Sequence, residues 1–409
     1  MKTIREIFRI GYGPSSSHTM GPRKAAELFL AAHPDAAKYQ AHLYGSLSAT
    51  GKGHLTDAAI IDVIPSVEIV WHNEFLPFHP NGMRFCAWDN QDNLLDDWTV
   101  YSVGGGALAE ENQEPGTKNK DSQLSTLNSQ LSNDIYTLTS LSDIKEYCDK
   151  MGWDYWEYVE HYEGKEIWDY LREVWQVMRE AVERGLDHEG VLPGPLHLRR
   201  KAASYYIKVA GYKDNLRTRG LVFSYALAVS EENASGGKIV TAPTCGSCGV
   251  LPAVLYHTWR SRDFSETRIL HALATAGLIG NVVKENASIS GAEVGCQGEV
   301  GVACAMASGA VNQLFGGTLA QIEYAAEMGL EHHLGMTCDP VCGLVQIPCI
   351  ERNAFAAARA LDSNMYAAFS DGTHNVTFDR VVDVMKQTGH DLPSLYKETS
   401  QGGLAATYE

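Results

Sequence analysis

Three cysteines constrain this chain more than any other feature: Cys296 in GAEVGCQGEVG, and Cys338 and Cys349 in MTCDPVCGLVQIPCIERN. Separations of 42 and 11 positions are too wide for a compact zinc knuckle. Each cysteine sits among Gly, Pro or Asp, in a loop whose backbone can approach a bulky group closely. A fold that uses all three must therefore return separate loops to one place. Three thiolates on a four-iron cluster would leave one iron without a protein ligand, free to act as a Lewis acid on a substrate hydroxyl.

The other six of the nine cysteines are weighed against the ordinary habit of a free cysteine, which is to be small, apolar and inert in a core. Cys86, Cys148 and Cys304 fit that habit, and the small-residue run VGVACAMASGAV around Cys304 reads as a buried helix. Cys245 and Cys248 form a CxxC in TAPTCGSCGVLPAVL. Standing alone, that spacing suggests thioredoxin-like redox chemistry or half a zinc site. No βαβ pattern precedes it and no second CxxC completes it, so packing is expected, with a redox-sensitive pair as the alternative. An odd number of cysteines in a long chain is unlike a secreted disulfide framework, and points to a reduced, cytoplasmic protein.

At 409 residues the chain has room for two or three well-buried cores. A formal net charge of −17 argues against nucleic acid and anionic membrane surfaces as partners. The opening MKTIREIFRIGYGPSSSH places two arginines where a secretory signal would need an apolar stretch. The most apolar runs, ILHALATAGLIGNVV and VGVACAMASGAV, are interrupted or short, and suit buried helices rather than membrane spans.

The pattern divides the chain into three parts, an α+β organisation. Residues 1–108 mix helix and strand signals. Gly21-Pro22 opens the amphipathic RKAAELFLAAH; VEIVWHNE and MRFCAW alternate as strands do, with the turn-rich DNQDN beyond them. A small α/β domain with an antiparallel sheet is expected there. Residues 109–138 are polar and repeat SQLS at 122–125 and 129–132, the composition of a flexible insertion. Residues 139–409 read as a larger, mainly α-helical domain. Ile167, Leu171, Val174, Trp175, Met178 and Val182 share one helix face, which Gly185 is expected to terminate. Further helical runs are predicted at about 218–232, 250–260, 266–283, 298–315, 318–330 and 351–369.

Several long stretches resemble the iron–sulfur L-serine dehydratases. In the helical part these are ENASGGKIVTAPT, NASISGAEVGCQGEVGVACAMASG, GMTCDPVCGLVQIPCIERNAFAAARA and KETSQGGLA. In the first part, GPSSSHTMGPRKAAELF, YGSLSATGKGHLTD, HPNGMRF and YSVGGG are similar to the smaller domain of the same enzymes. The resemblance covers almost the whole chain apart from about thirty residues near position 125. It implies a single-chain lyase that converts L-serine to pyruvate and ammonia, a [4Fe-4S] cofactor rather than pyridoxal phosphate, and Cys296, Cys338 and Cys349 as its ligands. A homodimer is the expected assembly. Cys342 is a departure, since related sequences usually carry Gly there; a packing role is expected for it.

Dehydrating serine has two difficult parts, a weakly acidic Cα proton and a poor leaving group. An open iron answers the second, and a positioned base must answer the first. His54, in SATGKGH, and then His18, in SSSHTMGP, are the candidate bases, because imidazole titrates near neutrality. Their loops are ones the resemblance implies face the cluster. Ser15, Ser16 and Ser17, with Asn286, Ser288 and Ser290 in NASISG, are candidate donors to the substrate carboxylate.

Other motifs carry less. GSLSATGK is one residue too long for a phosphate-binding loop and precedes no clear helical pattern. SVGGGAL echoes the glycine loops of pyridoxal-phosphate enzymes, but no lysine sits in a Schiff-base motif, and a tight turn after a strand is expected. His332 and His333 are adjacent, so their side chains diverge on a helix and are expected to be structural. An iron–sulfur sensor is the non-enzymatic alternative, though nothing basic or partner-like accompanies it. The C-terminal KETSQGGLAATYE holds no cysteine, so no tail thiolate can cap the open iron, and a frayed end is expected.

Overall fold

The computed structural model describes residues 1–111, 134–399 and 402–407. Most of the predicted insertion, including both SQLS repeats, lies outside the described residues. The chain divides into two compact units, Pro14–Asn133 and the combination of Met1–Gly13 with Asp134–Glu409. In chain order the strands are β1 (Ile10–Tyr12), β2 (Lys38–Leu43), β3 (Val67–Trp71), β4 (Gly82–Trp88), β5 (Leu94–Val103), β6 (Ala107–Ala109) and β7 (Lys238–Val240).

The smaller unit is α/β. Its sheet runs β3-β2-β4-β5-β6, antiparallel throughout except for the β2–β3 pair, which is parallel. That pair differs from the expected all-antiparallel sheet because two helices, α2 (Ser46–Thr50) and α3 (Thr56–Val63), carry the chain back to the start of β3, as a parallel pair requires. The GSLSATGK loop therefore does feed a helix. DNQDN makes the predicted turn between β4 and β5: the Asp89 carboxylate accepts from the Gln91 and Asn93 amides.

Helix α1 (Gly21–Ala32) begins where Gly21-Pro22 predicts, since Pro is tolerated in a first turn that lacks amide partners. It buries Ala25, Ala26 and Phe29 against the sheet, where the Phe29 ring meets Phe85 and Trp98. Burial of that one ring contributes about 2–3 kcal/mol.

The larger unit is helical: α4 (Leu141–Met151), α5 (Tyr155–Glu163), α6 (Ile167–Asp187), α7 (Ala202–Val209), α8 (Asp214–Ala234), α9 (Val250–Arg262), α10 (Glu266–Asn286), α11 (Gly291–Val294), α12 (Val302–Leu314), α13 (Leu319–Glu331), α14 (Cys349–Ala368) and α15 (Phe378–Asp391). The six later runs all appear within a few residues of their predicted limits. Helix α12 is buried from Val302 to Asn312, as its small-residue composition requires. A methyl group on Gly329 of α13 would stand 2.9 Å from the Ala305 Cα, so those two helices cross almost backbone to backbone. Gly185 does not end α6. It lies inside the helix, where an added Cβ would strike the Ala228 backbone of α8, so it serves a close crossing instead.

Met1–Gly13 groups with the helical unit, although its position in the sequence suggested the small domain. Strand β1 pairs antiparallel with β7, with Ile10 opposite Val240. The Arg9 amide donates to Thr241 Oγ1 at 2.8 Å, and Ile4, Ile7 and Phe8 are fully buried. Glu6 pairs with Lys284 of α10. Among the described residues, no helix is long and apolar enough to cross a membrane.

Candidate active site

In the helical unit, Cys296 sits between α11 and a single π-helical turn, Gln297–Gly301. Its carbonyl accepts the amides of Glu299 and Val300, and so starts the turn that leads into α12. Gly295 before it has φ +76°, and a side chain there would press on the Met336 carbonyl at 2.6 Å; glycine lets this loop meet the one that carries Cys338. The Cys338 amide donates to the Tyr396 carbonyl at 2.8 Å, and its carbonyl accepts from the Thr399 amide at 3.2 Å. Cys349 is the first residue of α14.

The three sulfurs share one environment. Burial, then the Glu299 carboxylate, pushes the Cys296 thiol up to about 11, while Arg352 pulls it down. Burial raises Cys338 well above the usual thiol range, with Glu299, Cys296, Glu398 and Cys349 adding to the rise. Cys349 is raised by burial, then by Cys296 and Glu299. Glu299 accepts from Thr244 Oγ1 at 2.5 Å on one oxygen and from Cys338 Sγ at 3.9 Å on the other. Its own carboxyl is raised, chiefly by burial. Gly291 opens α11 where an added Cβ would lie 3.1 Å from Cys338 Sγ, so the sulfur lies in a recess that a side chain would fill.

Among the described residues, no three His, Cys, Asp or Glu side chains converge tightly enough to chelate one ion. A four-iron cluster makes a different demand, one thiolate on each of several separated irons. Cys296 and Cys349 both bear on Cys338, and Cys296 on Cys349, so the three sulfurs lie near one another as the ligands of one cluster must. The donor set therefore fits such a cluster.

The remaining cysteines separate as follows. Cys86, Cys148, Cys245, Cys248 and Cys304 are buried. Cys342 is exposed, contrary to the packing expectation, and has φ +55°. That left-handed conformation suits glycine, which accounts for the residue that related sequences carry there. His332 and His333 cap the end of α13, with the His333 ring on the Gly329 carbonyl at 2.7 Å.

Of the NASISG candidates, Asn286 ends α10 and its amide nitrogen donates to the Thr139 and Val282 carbonyls. The Ser288 hydroxyl accepts the Ser290 amide at 3.0 Å, and Ser290 immediately precedes the Gly291 recess. Glu409, where a frayed end is expected, lies outside the described residues; the stretch before it is anchored. The Leu404 amide donates to Asp339 Oδ2 at 2.9 Å, Ala405 is buried, and a Cβ added to Gly403, at φ +58°, would strike the Asp339 carboxylate. Sequence reasoning missed Glu299, Asp339, Arg352 and Glu398. For Glu299, Asp339 and Arg352 only their closeness to the cysteine motifs could have signalled them; Glu398, 49 positions after Cys349, gave no such sign.

In the smaller unit, Ser16–Met20 forms another π-helical turn, capped by Ser15, whose hydroxyl accepts the His18 amide at 3.1 Å. The His18 ring lies between two hydroxyls, Ser17 on Nδ1 and Ser46 on Nε2, both at 3.0 Å. The His54 ring is 4.5 Å away, and both imidazoles are buried. Thr19 Oγ1 donates to the His54 carbonyl, and Thr56 Oγ1 to the His18 carbonyl, which ties the two loops together. Burial lowers His54 to about 4; burial and then His54 lower His18 well below its ordinary value. His54 Nδ1 is buried and has no hydrogen-bond partner. The glycines of SVGGGAL form the predicted tight turn after β5.

The serine dehydratase alpha chain family matches residues 99–405, and the serine dehydratase beta chain family matches 3–64 and 61–113. The chain belongs to the serine dehydratase family. It is a single-chain lyase in which both segments are fused. It is 41% identical to "L-serine dehydratase TdcG" of Escherichia coli (strain K12), over 98% of either chain. It is also 38% identical to an L-serine dehydratase of Haemophilus influenzae, over 99% of either chain. Against an L-serine dehydratase of Helicobacter pylori it is 35% identical, over 99% of this chain and 98% of that one.

Proposed function

We propose that this chain is an L-serine ammonia-lyase that forms pyruvate and ammonia, with Cys296, Cys338 and Cys349 holding a [4Fe-4S] cluster. The observation that carries this reading is the convergence of three thiols from three separate segments on one buried environment, within the alpha-chain segment of a serine dehydratase. When bound, the cluster would supply a Lewis acid for the departing hydroxyl.

The chain's own residues supply the rest. His54, neutral at pH 7 and with an unpartnered buried Nδ1, accepts the Cα proton. His18 sits against it, oriented by Ser17 and Ser46. Ser15, Ser16 and Ser17, with Ser288 and Ser290, offer donors for the substrate carboxylate, whereas the Asn286 amide is spent on the Thr139 and Val282 carbonyls. The enamine that leaves tautomerises and hydrolyses without further help. The protein is read as cytoplasmic, and as a homodimer without nucleic-acid partners. The exposed apolar side chains Leu216 on α8, Phe355 on α14 and Phe369 just beyond α14 support self-association.

Anaerobic reconstitution with iron and sulfide, followed by a pyruvate assay on L-serine, tests the reading. A brown cluster absorbance and serine turnover are expected, and both should vanish in Cys296→Ala, Cys338→Ala and Cys349→Ala. A Cys338→Ala protein that still held four irons and turned over serine would sink it.

A further inference from the structure

One side chain touches the surroundings of all three cysteines. Arg352 lies one turn after Cys349 on α14, and it is largely buried. Its positive charge pulls the Cys296 thiol down against burial and Glu299. It also donates to the Thr337 carbonyl at 2.6 Å, just before Cys338, and reaches Asp339 Oδ1 at 3.4 Å, just after it. Asp339 is itself held by Thr337 Oγ1 on the same oxygen and by the Leu404 amide on the other. A planar fork with five donors can span these partners together; an ammonium cannot. The anionic groups that bear on the thiols are Glu299 and Glu398, and Arg352 is the cation set against them.

We propose that Arg352 is a positioning residue that holds the Cys338 loop in register with the helix that Cys349 opens and, as the buried cation among these loops, raises the reduction potential of the centre those cysteines carry. The inference rests on the cluster reading above. Hydrogen bonds and positive charge at cluster sulfurs stabilise the more reduced, more negative state, so their loss lowers the potential. Because the guanidinium is already committed to Thr337 and Asp339, it is not the anchor for the substrate carboxylate.

The test uses the full chain, reconstituted anaerobically, as wild type, Arg352→Gln and Arg352→Lys. Three quantities are measured: the midpoint potential, the rate of iron release to a chelator, and the melting of the metal-free chain as a check on folding. Arg352→Gln should lower the potential and release iron at least ten-fold faster. Arg352→Lys should recover most of the potential, because it keeps a charged donor, while iron release stays fast because the fork is gone. Arg352→Gln with the wild-type potential and release rate overturns the inference, and so does an effect confined to the KM for serine. If Arg352→Gln takes up no cluster, Arg352→Lys decides: wild-type values for both quantities overturn the inference. A wild-type chain that takes up no cluster overturns the functional reading, and the inference with it. A loaded wild type beside an indistinguishable Arg352→Gln overturns the inference alone.

Discussion

Replacing Gly291 by Ala puts the cysteine recess under direct strain. The added Cβ would stand well inside contact distance of Glu299 Oε1 and 3.1 Å from Cys338 Sγ. A flexible carboxylate could ordinarily swing aside, but this one is held. Thr244 Oγ1 fixes its other oxygen at 2.5 Å, and Gly246 lies behind it, so close that a methyl there would approach within 2.7 Å. Either the loop moves, at the cost of overpacking a tight site, about 1–3 kcal/mol, or the bond to Thr244 breaks, about 1.5–3 kcal/mol for a charged acceptor. Both routes give a loss of about 1–3 kcal/mol, or a few degrees in Tm for each kcal/mol in a unit of this size. The metal-free chain should melt about 3–10 °C lower, and reconstitution should leave it with less iron. Gly211→Ala is the control: its nearest neighbour would be the Lys208 carbonyl at 3.5 Å, so its stability should stay within about 0.5 kcal/mol of wild type. A Gly291→Ala chain with wild-type Tm and full cluster absorbance would refute the picture of a filled recess.

Two further outcomes are expected. His54 titrates at about 4 in the folded chain against 6.5 in a model peptide, so the unfolded state binds the proton first as pH falls. Stability from this residue is complete above pH 6.5 and is lost between 6.5 and about 4, roughly 2–4 kcal/mol in all. The slope of Tm against pH over that window should therefore flatten in His54→Gln, and the acid limb of kcat/KM should lie well below 6; an unchanged slope, or a limb at 6.5, would contradict the buried neutral imidazole. Deleting residues 404–409 removes the Leu404 bond to Asp339 and should speed iron release from the reconstituted chain; an unchanged release rate would show that this anchor is dispensable.

What could be read from the sequence follows its periodicities. Helices α8 to α10 and α12 to α14 carry their apolar pattern within themselves, so their limits were legible; the single turn of α11 was not. The parallel β2–β3 pair was not, because strand direction depends on what lies between strands rather than on either strand. Gly185 looked like a stop signal because a glycine that ends a helix and one that lets a neighbour approach have the same local context; only Ala228, 43 positions away, tells them apart. At the site, thiols among Gly and Pro announced themselves. Glu299 and Arg352 did not, since a charged residue on a helix is usually solvated, and their burial arises only when three distant loops meet. The attachment of GGLA was illegible for a similar reason: it has no side chain that signals attachment, and its bond to Asp339 is made by a backbone amide.

The pairing of Ile10 with Val240 also has a consequence for synthesis. Chains emerge from the ribosome in order, at about 5–20 residues per second. Strand β1 is therefore made roughly 10–50 s before β7 exists to receive it, while every residue of the small unit is translated in the interval. During that wait Ile4, Ile7 and Phe8 have no partner helix, since α10 follows β7 in turn. A segment made early is thus among the last to find its place, and a nascent chain stalled before residue 240 would expose the apolar Ile4, Ile7 and Phe8 ahead of the small unit.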